Sequence, residues 1–242
     1  MTGRIHSPSG IQKLEAILHQ KLGHQDSHRA QAAWLAIAFL LPVLGSCHPP
    51  PVNLCPVVHN YRASSYKKVL HRWTRSGMVI RELDTTIRAS ATYFSWDFCQ
   101  AYAAKWATMF GLSATEAAAF RKKLLADKSA HIDFYVAVAT SNPNLNELHD
   151  PDSIWKMTLI GANGLRAHPE HVEHVDPLTD TQKNLFPYTG LFYEAYLVRF
   201  PKTVAGRPEL PADDTKKFTL QFAGPKGKLL LTWKVRHRGP CR

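Results

Sequence analysis

The stretch KFTLQFAGPKGKLLLTWK, residues 217–234, reads as two strands and the turn between them. Phe218, Leu220 and Phe222 alternate with Thr219 and Gln221, and Leu229, Leu231 and Trp233 alternate with Leu230, Thr232 and Lys234. Side chains on a strand point to opposite faces in turn, so this period of two marks half-buried antiparallel strands. Gly224-Pro225-Lys226-Gly227 supplies the residues that reverse a chain tightly.

The same rhythm recurs upstream. In residues 85–94, Ile87, Ala89, Ala91 and Tyr93 share one face, against Thr86, Arg88, Ser90 and Thr92. Trp155, Met157 and Leu159 alternate with Lys156 and Thr158, and Asn163-Gly164 after them is a hairpin signal. Ser76-Gly77 is expected to turn the chain after Arg72-Trp73-Thr74-Arg75. Residues 134–139 and 193–200 are more continuously apolar, as central strands are. Residues 95–110 break the pattern and predict a helix burying Trp96, Cys99, Ala103, Trp106 and Phe110. Ser113 with Glu116 forms a capping box that starts a second helix to about residue 126, with Arg121, Lys122 and Lys123 solvated. The fold class expected is mainly β. It is an antiparallel β-sandwich-like domain over residues 66–236, with a helical insertion at 95–128 between strands.

The amino-terminal part is of another kind. No charged residue occurs between Ala30 and Tyr61, and residues 32–44 (AAWLAIAFLLPVL) are nearly all apolar, preceded by Lys21, His28 and Arg29. Basic residues before a short apolar run match a secretory signal, and the run falls short of the roughly 20 residues a spanning helix needs. Leu44-Gly45-Ser46-Cys47 then resembles the lipobox of bacterial lipoproteins. That resemblance implies that Cys47 is alkylated with diacylglycerol, that a signal peptidase recognising Leu44, Gly45 and Ser46 cuts before it, and that the new amino terminus is acylated, as with palmitate. Several acyl chains hold a protein firmly, at roughly 0.8 kcal/mol per buried methylene. Residues 1–46 are then the leader, and residues 47–65, with Pro49-Pro50-Pro51, an extended tether. An uncleaved anchor, or an ordinary secretory signal with Cys47 incidental, are the alternatives.

The implied setting is the bacterial cell envelope, at the inner or outer membrane and on its periplasmic or surface face. Arg72-Trp73-Thr74-Arg75 with Arg199-Phe200-Pro201 resembles uncharacterised proteobacterial lipoproteins, a likeness that brings no activity with it.

The formal net charge is +11. Four basic and two acidic side chains lie in residues 1–46, which leaves 26 of the 30 basic and 17 of the 19 acidic residues in the remainder. That balance favours contact with something anionic (lipid head groups, acidic polysaccharide or nucleic acid), or serves solubility alone, since the basic residues are scattered rather than packed into one run. No RNP, zinc-finger or helix-turn-helix pattern occurs, so nucleic acid is disfavoured as a partner. Residues 237–242 form a basic tail.

Three clusters bear on chemistry. His168, His171 and His174 in HPEHVEH are candidate metal ligands, although on a strand His171 points away from the other two. Glu147, Asp150 and Asp152 lie in a loop that offers oxygens to calcium, without the ordered spacing of an EF-hand. Cys55, Cys99 and Cys241 remain once Cys47 is assigned to lipid. Cys99 reads as a buried thiol; Cys55 and Cys241, near the two ends of the mature chain, could pair, but connectivity does not follow from sequence and stays open.

No GxSxG elbow, Walker motif, GxGxxG or CxxC occurs. No catalytic residue, metal or cofactor is therefore assigned. Trp73, Tyr93, Trp155, Tyr196 and Trp233 read as core rather than a sugar platform. The function expected is a membrane-anchored envelope lipoprotein, non-catalytic, with a binding or assembly role and a possible envelope protein partner. The alternative is an anchored metal- or small-ligand-binding protein or enzyme, for which the histidines or the acidic loop must converge.

Overall fold

The computed structural model describes residues 49–236, apart from 82–83, 127, 129–130, 162–163 and 204–214. The chain divides into two compact units, 1–48 and 49–242. The described residues belong to the second. Leu44, Gly45, Ser46, Cys47 and Cys241, and the tail at 237–242, lie outside them.

Among the described residues the domain is mainly β, with nine strands in two antiparallel sheets. The first sheet has the order β1 (Thr74–Arg81), β2 (Asp84–Tyr93), β3 (His131–Ala139), β7 (Glu194–Pro201) and β6 (His171–His174). The second has β5 (Arg166–Ala167), β4 (Lys156–Ile160), β8 (Lys217–Gly224) and β9 (Gly227–Lys234). Four helices accompany them: α1 (Tyr66–Trp73), α2 (Trp96–Met109), α3 (Ala114–Ala126) and α4 (Asp180–Leu185). As expected, α2 and α3 form a helical hairpin between β2 and β3.

Strand β3 is the central strand of the larger sheet, and Ile132 to Val138 explain why the run is apolar. Phe134 meets Trp233 of the second sheet at 5.4 Å, while Tyr135 on the opposite face stacks on Phe186 at 3.8 Å. One face is covered by the second sheet and the other by helices. That is why β2 departs from the half-buried pattern: Thr86, Ser90 and Thr92 are buried as well as Ile87, Ala89 and Ala91. The hydroxyls of Ser90 and Thr92 are satisfied, Ser90 by Ser76 at 2.8 Å across the sheet and Thr92 by Tyr188 at 2.7 Å from the segment after the last helix.

The turn at 224–227 joins β8 to β9 as read from sequence, with Gly227 at φ 142°. The β4–β5 hairpin also forms, with Gly164 at φ 70°. Ser76-Gly77 does not turn the chain; both lie inside β1, and the reversal comes after Arg81. Glycine at 77 instead eases a close approach. A Cβ there would lie 2.9 Å from Leu229 Cδ1, so the residue lets the edges of the two sheets approach.

Ser95 caps α2 by accepting from the Phe98 amide at 3.0 Å, and Glu116 closes the capping box on Ser113. The buried face of α2 differs from the one expected. Asp97, Phe98, Cys99, Gln100, Ala101 and Ala103 are buried, whereas Phe110 is half exposed. The first turns of α2 are enclosed by α1 and by the segment before it, so burial runs around the helix rather than along one stripe.

That preceding segment is the larger correction. Residues 49–62 are extended, but they do not stand off as a tether. Val52, 1% exposed, pairs in parallel with Val235, its amide donating to Lys234 O and its carbonyl accepting from Arg236 N, both at 2.8 Å. Burying that side chain contributes about 1.5–3 kcal/mol. Pro50 O accepts from Arg75 Nη2 at 3.1 Å, and the His59 amide donates to Gln100 Oε1 at 2.8 Å. Among the described residues, packing onto the sandwich is established by Val52 rather than near Tyr66, because β9 offers Val52 a backbone partner.

Candidate functional site

At the Val52 end of the sandwich a cleft of about 290 Å³ opens between the extended segment, α1 and the start of α2. Asp97 is its organising group. It lies in the first turn of α2, where a carboxylate is favoured by the helix dipole. Its Oδ1 accepts from the Tyr61 hydroxyl at 2.5 Å, and its Oδ2 from Trp73 Nε1 at 2.8 Å and Arg72 Nη1 at 3.0 Å. His59 Nε2 lies 3.6 Å from Oδ1. Burial, together with the hydrogen bond and charge of Asp97, pushes the Tyr61 phenol up to about 12.

The carboxylate is thus spent on internal donors and serves to orient Arg72. His59, Arg72 and Arg236 line the cleft, so cations outnumber its one carboxylate. Two guanidinium groups and an imidazole suit an anion with several acceptor oxygens, such as a phosphate. Cys55, also in the lining, is disulfide-bonded, and no serine, threonine or thiol lines the cleft among the described residues. The arrangement can receive an anion. It offers no nucleophile for Asp97 and His59 to activate.

A second cleft, also about 290 Å³, lies over the outer face of β7 and β6. Here Asp133 is paired with Lys128 and forms a two-point contact with Arg199, at 2.8 and 3.2 Å. Burial pushes the Asp133 carboxyl up, but the hydrogen bonds and charges of Arg199 and Lys128 outweigh it and hold the group below its ordinary value.

The sequence-derived metal candidates do not come together. His168 is exposed between β5 and β6, which belong to different sheets. His171 is in register with Arg199 and lines the second cleft, whereas His174, on the opposite face of β6, is opposite Tyr196. His174 Nε2 contacts Glu194 Oε2 at 2.7 Å, and its ring stacks on His149 at 5.1 Å. Asp150 accepts from the Asp152 amide at 2.7 Å, which is turn chemistry. Among the described residues no group of three or more His, Cys, Asp or Glu is placed to hold a metal.

Arg72 and Arg75 do not share a solvated face. Arg75 is 5% exposed, donates to Pro50, Arg72, Thr74 and Thr232 carbonyls, and lies over the Trp233 ring at 5.6 Å. Burial pulls its guanidinium down to about 10. Trp73, Trp155, Tyr196 and Trp233 are buried core, as expected. Cys99 is a buried thiol donating to Phe94 O at 3.7 Å. Cys55 is disulfide-bonded to a cysteine outside the described residues.

Nothing in the sequence singled out His59, Tyr61, Asp97 or Arg236. The one local signal was Asp97 two residues after a helix-capping serine, and that is common at any helix start. No family model, curated protein or solved structure matches the chain.

Proposed function

We propose that the chain is an envelope lipoprotein, cut before Cys47 and held to a membrane by lipid on that cysteine, whose β-sandwich binds or assembles rather than catalyses. The observation that carries this reading is the coincidence of two boundaries. The lipobox-like LGSC ends at Cys47, and the compact folded unit begins at Pro49. The disulfide at Cys55 supports an oxidising, exported setting, and with Cys47 acylated its partner is Cys241. A binding role is supported by the Asp97 cleft, which offers cations but no nucleophile. It is supported also by the turn at 190–193, where Leu191 and Phe192 are exposed. Among the described residues no helix is long and apolar enough to cross a membrane, so anchoring falls to the leader or its cysteine.

Cys47→Ser tests the reading directly. The native protein recovered from membranes should begin at Cys47 and carry acyl mass on it. The variant should stay uncut or leave the membrane. A variant that is still cleaved and still membrane-bound would refute the lipoprotein assignment.

A further inference from the structure

Resting on that anchor, we infer that the Val52 end of the sandwich is a docking surface for the head groups of an anionic bilayer, so that the domain lies against the membrane on this end. Four residues, His48 to Pro51, separate Cys47 from buried Val52. Even fully extended, five residue steps span only about 17 Å. The lipid therefore keeps the Val52 end, and no other part of the domain, within reach of the head groups.

What the fold gathers at this end matches that neighbour. The Val52–Val235 bridge lies between Lys234 and Arg236, and the Val235 amide donates to Lys216 O at 2.8 Å. Lys217 sits directly opposite Lys234 in the β8–β9 register. Lys216, Lys217, Lys234 and Arg236 are all exposed, and none has an ion-pair partner among the described residues. Like charges opposite each other on a sheet are destabilising unless something anionic faces them. The acids nearest the cleft do not serve, since Asp97 is occupied by Tyr61, Arg72 and Trp73. Exposed Asp84 and Asp152 lie toward the opposite, Gly224 end, and exposed Glu170 and Glu173 are on or beside β6, the edge strand of the first sheet farthest from β1. A head-group phosphate at the Asp97 cleft would meet Arg72 and Arg236 from the same side.

The test uses the lipidated protein in vesicles of phosphatidylcholine alone and of phosphatidylcholine mixed with phosphatidylglycerol. A membrane-impermeant amine reagent is applied and the labelled lysines are read by mass spectrometry. On the anionic vesicles, labelling of Lys216, Lys217 and Lys234 should fall several-fold, while Lys226 and Lys228 at the far turn stay unchanged. High salt should abolish the protection. Each basic residue near such a surface strengthens association about fivefold, so Arg236→Glu should visibly weaken the protection of the three lysines. Equal labelling at both ends on anionic vesicles overturns the inference. The amino-terminal peptide from the same digest separates the two readings. Acyl mass on Cys47 with uniform labelling refutes the docking surface alone. An unmodified Cys47 refutes the anchor, and selective protection of that protein would still uphold docking by the basic end.

Discussion

At the Val52 end, residues far apart in sequence hold one another. Val52 is locked to the end of β9, Arg75 reaches Pro50 and Thr232, and Asp97 gathers donors from α1 and from the segment before it. At the Gly224 end the β8–β9 turn and the turn just before β7 are short and local. In one of them, Tyr193 N to Gly190 O at 3.1 Å brackets Leu191 and Phe192, which are 91% and 81% exposed. The contrast separates structure from availability. The first end is consolidated by long-range polar contacts whose removal strands buried partners. The second keeps apolar side chains in water, where they contribute nothing to the fold and are free to meet a partner.

The sharpest way to break this contrast is Asp97→Ala. It leaves the Arg72 guanidinium, the Tyr61 hydroxyl and the buried Trp73 indole N–H without their acceptor. Leaving the buried Trp73 N–H without an acceptor, with the half-buried Arg72 pair lost as well, costs about 1–3 kcal/mol. Urea unfolding measures it, and a loss below about 1 kcal/mol would mean that the cluster does not consolidate this end.

A smaller effect comes from Asp133. Its carboxyl is held below its unfolded value, so its contribution to stability is present above about pH 4 and is lost as pH falls through the folded pKa. Asp133→Asn should therefore flatten the acid limb of a stability–pH profile and leave its alkaline limb alone. An unaltered acid limb would count against the ion pairs with Lys128 and Arg199.

The smallest effect should come from the opposite end. Leu191→Ser combined with Phe192→Ser should change stability by no more than about 0.5 kcal/mol, because neither side chain is packed. A clear drop in melting temperature would show that the turn is part of the fold after all.

The strands were legible where their signal is local. Phe218, Leu220, Phe222 and the Gly224–Gly227 turn read directly as a hairpin, and the apolar run of β3 marked a strand covered on both faces. Gly77 misled, because a glycine that permits close packing of sheets looks in sequence like one that permits a turn. The burial of Arg75 had no local signal either. An arginine in a strand reads as solvated, yet four carbonyls from separate elements and the Trp233 ring receive this one. Residues 49–62 looked like a spacer because their proline content and lack of periodicity describe backbone shape, and say nothing of the β9 edge they dock on.

By itself the sequence determined the hairpins, the capped helices and the mainly-β class, and it marked Cys47 as the candidate site of attachment. These rest on periodicity, turn chemistry and a four-residue motif, all of which act over a few residues. Only the tertiary structure decided that Asp97 would gather Tyr61, Arg72 and Trp73, that the three histidines would be divided between faces, and that Lys217 and Lys234 would stand opposite each other. Those outcomes depend on strand register and on which chain segment covers which sheet edge, and contacts between distant residues set both.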